Sequence, residues 1–180
     1  MPGSAAKAPN EFSRIVTPDR LGAPKLVESF EASPAERAAV ARRLELLAVD
    51  RLAAELTVTN VGGRLFRVEG PWEAAVQQAC VVTLEPVPGE LTGRIVVSYE
   101  AAARPAGGSE IVIDPSADDP AEVLPAEGLD LGELVVQELA VALDPYPRAP
   151  GAEIPPEYRP AGDDDGGGPF AALKALKVKK

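Results

Sequence analysis

Few residues of this chain could do chemistry, and they fall in two places. One is a single thiol, Cys80, in the run Cys80-Val81-Val82-Thr83-Leu84-Glu85-Pro86; the other is a basic closing segment, Pro169 to Lys180. The chain has no histidine, which removes the usual general base and the usual nitrogen ligand together. Without an imidazole, Cys80 needs a neighbouring cation to become a nucleophile. It alternates with Trp72 and Val76 on what reads as one face of a long strand, where an inert buried thiol is expected. Asp118-Asp119 and Asp163-Asp164-Asp165 lie in polar stretches that hold no pair of oxygens in catalytic geometry, so weak cation binding is the most they offer. Gly107-Gly108 and Gly166 to Gly168 lack the lysine that a phosphate-cradling loop requires. The expectation is a protein that is not an enzyme, with no catalytic residue, cofactor, metal or small-molecule substrate.

The closing segment offers binding instead. Phe170, Leu173, Leu176 and Lys177 recur at helical spacing and predict a short amphipathic helix over 169–180, with the three apolar residues as anchors and Lys174 and Lys177 on the rim. The run 163–168 before it buries no apolar surface and reads as a flexible tether. An alternative use of Lys174, Lys177, Lys179 and Lys180 is direct contact with RNA phosphates, which would fade steeply with salt.

Charge narrows the partners. The net charge is -10, unevenly placed: residues 1–109 carry 13 acids and 12 bases, residues 110–165 carry 15 acids and 2 bases, and residues 166–180 carry four lysines. An acidic body repels phosphates and suits a basic protein. Four Phe, three Tyr and one Trp, not clustered with bases, make an RNA-stacking platform a poor expectation. No run approaches the roughly 18 apolar residues of a membrane span, and residues 1–10 lack an apolar signal core. A cytoplasmic protein with no membrane partner is expected, and a lone cysteine gives no internal disulfide.

The elements that must position these residues read as α+β: an antiparallel β-meander packed with two main α-helices, with long Pro/Gly/acidic loops and the short helical tail. Residues 1–10 read as disordered, 11–147 as one domain and 148–168 as a linker. Glu11 to Val16 and Leu26 to Phe30 read as strands. Ser33-Pro34-Ala35-Glu36 is a capping box that starts a helix with Val40, Leu44 and Leu47 inward. From Arg51 the period becomes two, with Leu52, Ala54, Leu56 and Val58 on the buried face. Gly62-Gly63 is the hairpin turn, Gly70-Pro71 a break, and Trp72 to Val82 the next strand. Pro86 to Gly89 is a second turn, followed by a strand with Leu91, Ile95, Val97 and Tyr99 inward. Ile111 to Ile113 offers an edge strand. Asp130 caps a second helix with Leu131, Val135, Leu139 and Ala142 as its stripe, ending at Asp144-Pro145.

Three segments in order carry a resemblance: Cys80 to Val87 (CVVTLEPV), Leu129 to Pro147 (LDLGELVVQELAVALDPYP) and Pro169 to Lys177 (PFAALKALK). Over Val49 to Lys177 the chain resembles the YceD-type large ribosomal RNA subunit accumulation proteins. Members often carry Cys-x-x-Cys followed by Leu and Pro, at the positions of Cys80, Thr83, Leu84 and Pro86; here Thr83 replaces the second cysteine. One thiolate without imidazole cannot complete a tetrahedral zinc site. The resemblance implies a bacterial, cytoplasmic, non-enzymatic factor for 23S rRNA accumulation and large-subunit assembly. Read with the acidic body and the tail, it suggests an adaptor for a basic ribosomal protein or rRNA-processing factor, with weak rRNA contact through the tail.

Overall fold

The structure, a computed structural model, describes residues 10–101 and 121–154. The chain divides into two units, Met1–Ala149 and Pro150–Lys180, and the first holds every helix and strand named below. It is an α+β unit. Strands β2 (Lys25–Glu31), β3 (Ala48–Gly62), β4 (Leu65–Ala79) and β5 (Pro86–Ala101) form an antiparallel meander, and β6 (Glu122–Leu124) adds a parallel edge beside β5. A second pairing joins β1 (Ile15–Val16) to β7 (Leu129–Asp130). The helices are α1 (Pro18–Leu21), α2 (Pro34–Arg43) and α3 (Leu131–Ala142).

Period-two alternation explains the sheet. Leu52, Ala54, Leu56 and Val58 are all buried, as are Phe66, Val68, Trp72, Ala74 and Val76 on β4 and Ile95 and Tyr99 on β5, while Leu91 and Val97 are half-buried. This face packs with Val40 and Ala41 of α2, Leu131, Leu134, Val135, Val136 and Leu139 of α3, and Phe12. The opposite face carries charge, with Arg51 bonded to Glu73 at 2.7 Å.

Several expectations are corrected. Gly70-Pro71 does not break a strand: β4 pairs with β5 without interruption from Leu65–Glu100 to Ala79–Pro86. Only the β3 ladder skips a step there, opposite Glu55 and Leu56. The proline lies on the exposed face, and the missing side chain of Gly70 lets β3 come close. Trp72 sits opposite Gly93, where a Cβ would lie 2.5 Å from its Nε1, so the glycine gives the indole its place. The β4–β5 turn spans Cys80 to Glu85 rather than Pro86 to Gly89, so Cys80 and Val82 lie in a loop and not on the strand face. Of Glu11 to Val16 only Ile15–Val16 is strand. Leu47 and Ala142 are exposed because each lies where its helix has ended or is ending, past the turns that touch the sheet. The edge strand beside β5 is Glu122–Leu124; Ile111 to Ile113 lies outside the described residues.

Both helix caps form as their residue types require. Ser33 and Glu36 exchange the two capping-box bonds. Asp130 accepts from the amides of Gly132 and Glu133 at 3.2 Å, and also from Asn10 Nδ2, Ser13 Oγ and the Arg14 amide at 2.8 Å each, tying residues 10–14 to the start of α3. Asp130→Ala removes the cap and this anchor together and should lower unfolding stability by about 2 kcal/mol, read from urea denaturation. The Arg14 guanidinium bonds Glu36 and holds its carboxyl down to about 2, against an ordinary 4.5. Because the folded pKa is depressed, this pair's contribution is complete above the ordinary value and lost as pH falls toward about 2. Glu36→Gln should therefore flatten the acid limb of the stability profile, modestly, since both side chains are partly exposed.

Candidate functional site

The β4–β5 hairpin ends in a loop that closes on itself. Cys80 N donates to Glu85 O at 2.8 Å and Leu84 N to Cys80 O at 2.9 Å. The Glu85 amide donates to Thr83 Oγ1 at 3.4 Å. Leu84 adopts φ 62°, a conformation that disfavours a branched apolar residue, with its side chain 75% exposed.

The chain that leaves α3 is strapped across this loop. Gln78 Nε2 donates to Asp144 O at 2.9 Å, Val81 N to Pro147 O at 2.9 Å, and Ala149 N to Cys80 Sγ at 3.3 Å. Tyr146 N turns back onto Asp144 Oδ1 at 2.9 Å, which fixes the corner, and Pro147 is buried. Two of the three segments singled out in the sequence thus meet in space, through bonded residues more than sixty positions apart. Phe170, Leu173, Lys174, Leu176 and Lys177, like Lys179 and Lys180, lie outside the described residues.

Cys80 is the hub of the junction. Its sulfur accepts amides from three places: Val82 and Thr83 at 3.4 Å each, and Ala149. It has no accessible surface, as expected of a buried thiol, although it lies in the loop and not on the strand face beside Trp72 and Val76. The Ala149 amide, with the Thr83 hydroxyl and the loop amides behind it, outweighs desolvation and pulls the thiol from an ordinary 9.0 down to about 6. The three amide bonds to the sulfur tie the strap to the loop.

A metal does not fit here. Beside the one sulfur stand a hydroxyl and a single carboxylate, Glu85, and among the described residues no three His, Cys, Asp or Glu side chains gather. Thr83 takes the second cysteine's place as a hydrogen-bonding group. A groove of about 780 Å3 opens elsewhere, on the charged sheet face around Ser29, Glu31, Arg51, Ala53, Glu55 and Glu73; it holds no thiol, and its arginine is already paired.

The Cys80 junction shows three large apolar side chains to solvent, among the exposed polar residues Thr83, Glu85, Asp144 and Arg148. Val81 is 48% exposed, Leu84 75% and Tyr146 73%. The residues that lock the strap from outside the Cys80 run are Gln78, Tyr146, Pro147 and Ala149. Tyr146 and Pro147 lie in a recognised motif; Ala149 acts through its backbone amide, which leaves no side-chain signal to read.

A family model described as Large ribosomal RNA subunit accumulation protein YceD matches residues 68–177. The chain belongs to this family. The YceD match takes in β4 from Val68 on, the Cys80 loop, β5, α3 and the strap, so the whole junction falls inside it, whereas β2, α2 and β3 precede it. No curated protein and no solved structure matches the chain. The YceD family is described by large-subunit rRNA accumulation, and that is the process to which this chain's family ties it. No helix among the described residues is long and apolar enough to cross a membrane.

Proposed function

We propose that this YceD-family chain supports 23S rRNA accumulation and large ribosomal subunit assembly as a non-enzymatic, protein-binding adaptor. The observation that carries the reading is the exposed apolar group Val81, Leu84 and Tyr146 on a junction locked by hydrogen bonds and held at an unfavourable φ. A rigid apolar patch is what a protein partner uses as an anchor, and the acidic surroundings select a basic one, such as a ribosomal protein or an rRNA-processing factor. The tail, with Phe170, Leu173 and Leu176 as anchors and Lys174 and Lys177 on the rim, serves as a second contact. The chain has no histidine and its one thiol is covered, which supports a binding role over catalysis. The protein acts in the cytoplasm, where ribosomes assemble.

The test is the 23S to 16S rRNA ratio in cells lacking the protein. Leu84→Asp combined with Tyr146→Asp should fail to restore the ratio while the purified variant keeps its melting temperature, because both side chains lie on the surface. Full restoration by that variant would remove the junction from the function. A chain ending at Gly168 tests the tail in the same cells. RNA binding at low salt that vanishes with the four tail lysines would instead favour a direct RNA chaperone.

A further inference from the structure

Among the described residues, the sheet leaves one long edge open. β2 pairs with β3, and no described strand lies on its other side. In an antiparallel ladder, residues alternate between aiming both backbone groups at the partner strand and aiming both away. Asn60 N donates to Pro24 O and Ala32 N donates to Leu52 O, so Leu26, Glu28 and Phe30 face β3. The N–H and C=O groups of Lys25, Val27, Ser29 and Glu31 therefore point out of the sheet. Among them only the Glu31 carbonyl has a described partner, Arg14 Nη2 at 3.3 Å. The side chains of these four residues are exposed as well, Val27 by 52%.

Open edges are commonly blunted by charge, but here the charges complement each other under a twofold axis. Antiparallel self-pairing centred on Glu28 sets Val27 opposite the partner's Ser29 and Lys25 opposite the partner's Glu31, each twice. A slip of two residues in either direction loses both ion pairs. At the centre, Glu28 meets the partner's Glu28, and each copy's Glu28 is already bonded to its own Arg20, so the centre holds two acids and two bases. We infer that the protein pairs with a second copy of itself through β2, continuing the sheet across the twofold axis. One strand supplies both signs in mirror order, which is what a self-partner needs and an unrelated basic strand does not. The opposite edge, β6, has only three residues and offers no comparable ladder.

Sedimentation equilibrium of the full chain tests this. The wild type should be a dimer. Lys25→Glu and Glu31→Lys should each weaken association about tenfold or more, because each puts like charges at two cross-strand positions. Mixing the two variants should restore the dimer, since each then supplies the charge the other lacks. Val27→Pro deletes an outward N–H without touching the β3 ladder and should leave a monomer with native circular dichroism. A wild-type monomer at all concentrations, a dimer indifferent to both charge reversals, or a mixture that stays monomeric would each overturn the inference. So would a monomer that uses this edge for a different chain. If Val27→Pro does not fold, the charge mixture decides.

Discussion

Gly70→Ala is expected to cost this protein about 3 kcal/mol or more and to lower its melting temperature by about 10 °C. A Cβ at this position would lie 2.0 Å from the carbonyl oxygen of Glu55 and 3.0 Å from both Glu55 C and Leu56 Cα. All three are backbone atoms in the middle of β3, so no side-chain rotation relieves the clash and the two central strands must part. Leu56 and Val68, which flank the contact, are buried, so the separation would open the core. Gly89→Ala is the control. Its Cβ would meet only Val76 Cγ2 at 3.5 Å, an ordinary contact in the same sheet, and it should leave stability nearly unchanged. Equal losses in both variants, measured by thermal and urea unfolding, would show that strand glycine as such matters and close approach does not.

The second large effect concerns Cys80. Thiolate ultraviolet absorbance in the folded protein should titrate with a midpoint of about 6, against an ordinary 9.0 once the chain is unfolded. The Ala149 amide leads this shift, so the titration reports on the strap as much as on the thiol. The folded pKa lies below the unfolded one, so the stabilisation is complete above the ordinary thiol pKa, shrinks as pH falls, and is lost on passing about 6. Cys80→Ser should flatten that dependence, because a hydroxyl does not ionise in this range. Alkylation of the native protein should nevertheless be slow, since the sulfur has no accessible surface. A folded-state midpoint near 9 would remove the charged hub and leave Cys80 as a packed thiol only. A cell in which Cys80→Ser fully supports the rRNA ratio would further separate the cysteine from any catalytic role.

The functional proposal and the dimer inference use different surfaces. Val81, Leu84 and Tyr146 lie at the β4–β5 turn, whereas β2 is the sheet edge reached first along the chain. Substitutions at Lys25 and Glu31 therefore test association without touching the junction, and Leu84→Asp with Tyr146→Asp does the reverse.

Features that depend on local pattern were legible in the residues alone. The alternation from Arg51 to Thr59 specified a half-buried strand, because side chains one residue apart must point to opposite faces. The Ser33 capping box and the Asp130 cap specified where two helices start, because a helix needs acceptors for its first amides within three residues. The order and spacing of three segments pointed to the family, since they are written in side-chain identity. Features that depend on distant backbone emerge once the strands have paired. Gly70-Pro71 reads as a break locally, yet β4 continues through it because β5 pairs along its whole length and β3 fits against the missing side chain. The turn moved from Pro86–Gly89 to Cys80–Glu85 because register is chosen by the fifteen pairs of the ladder, not by the residues most often found in turns. Cys80 alternated with core residues and so looked like one of them. The lowering of its pKa is led instead by the amide of Ala149, brought from beyond the end of α3, and a backbone N–H has no letter in the sequence.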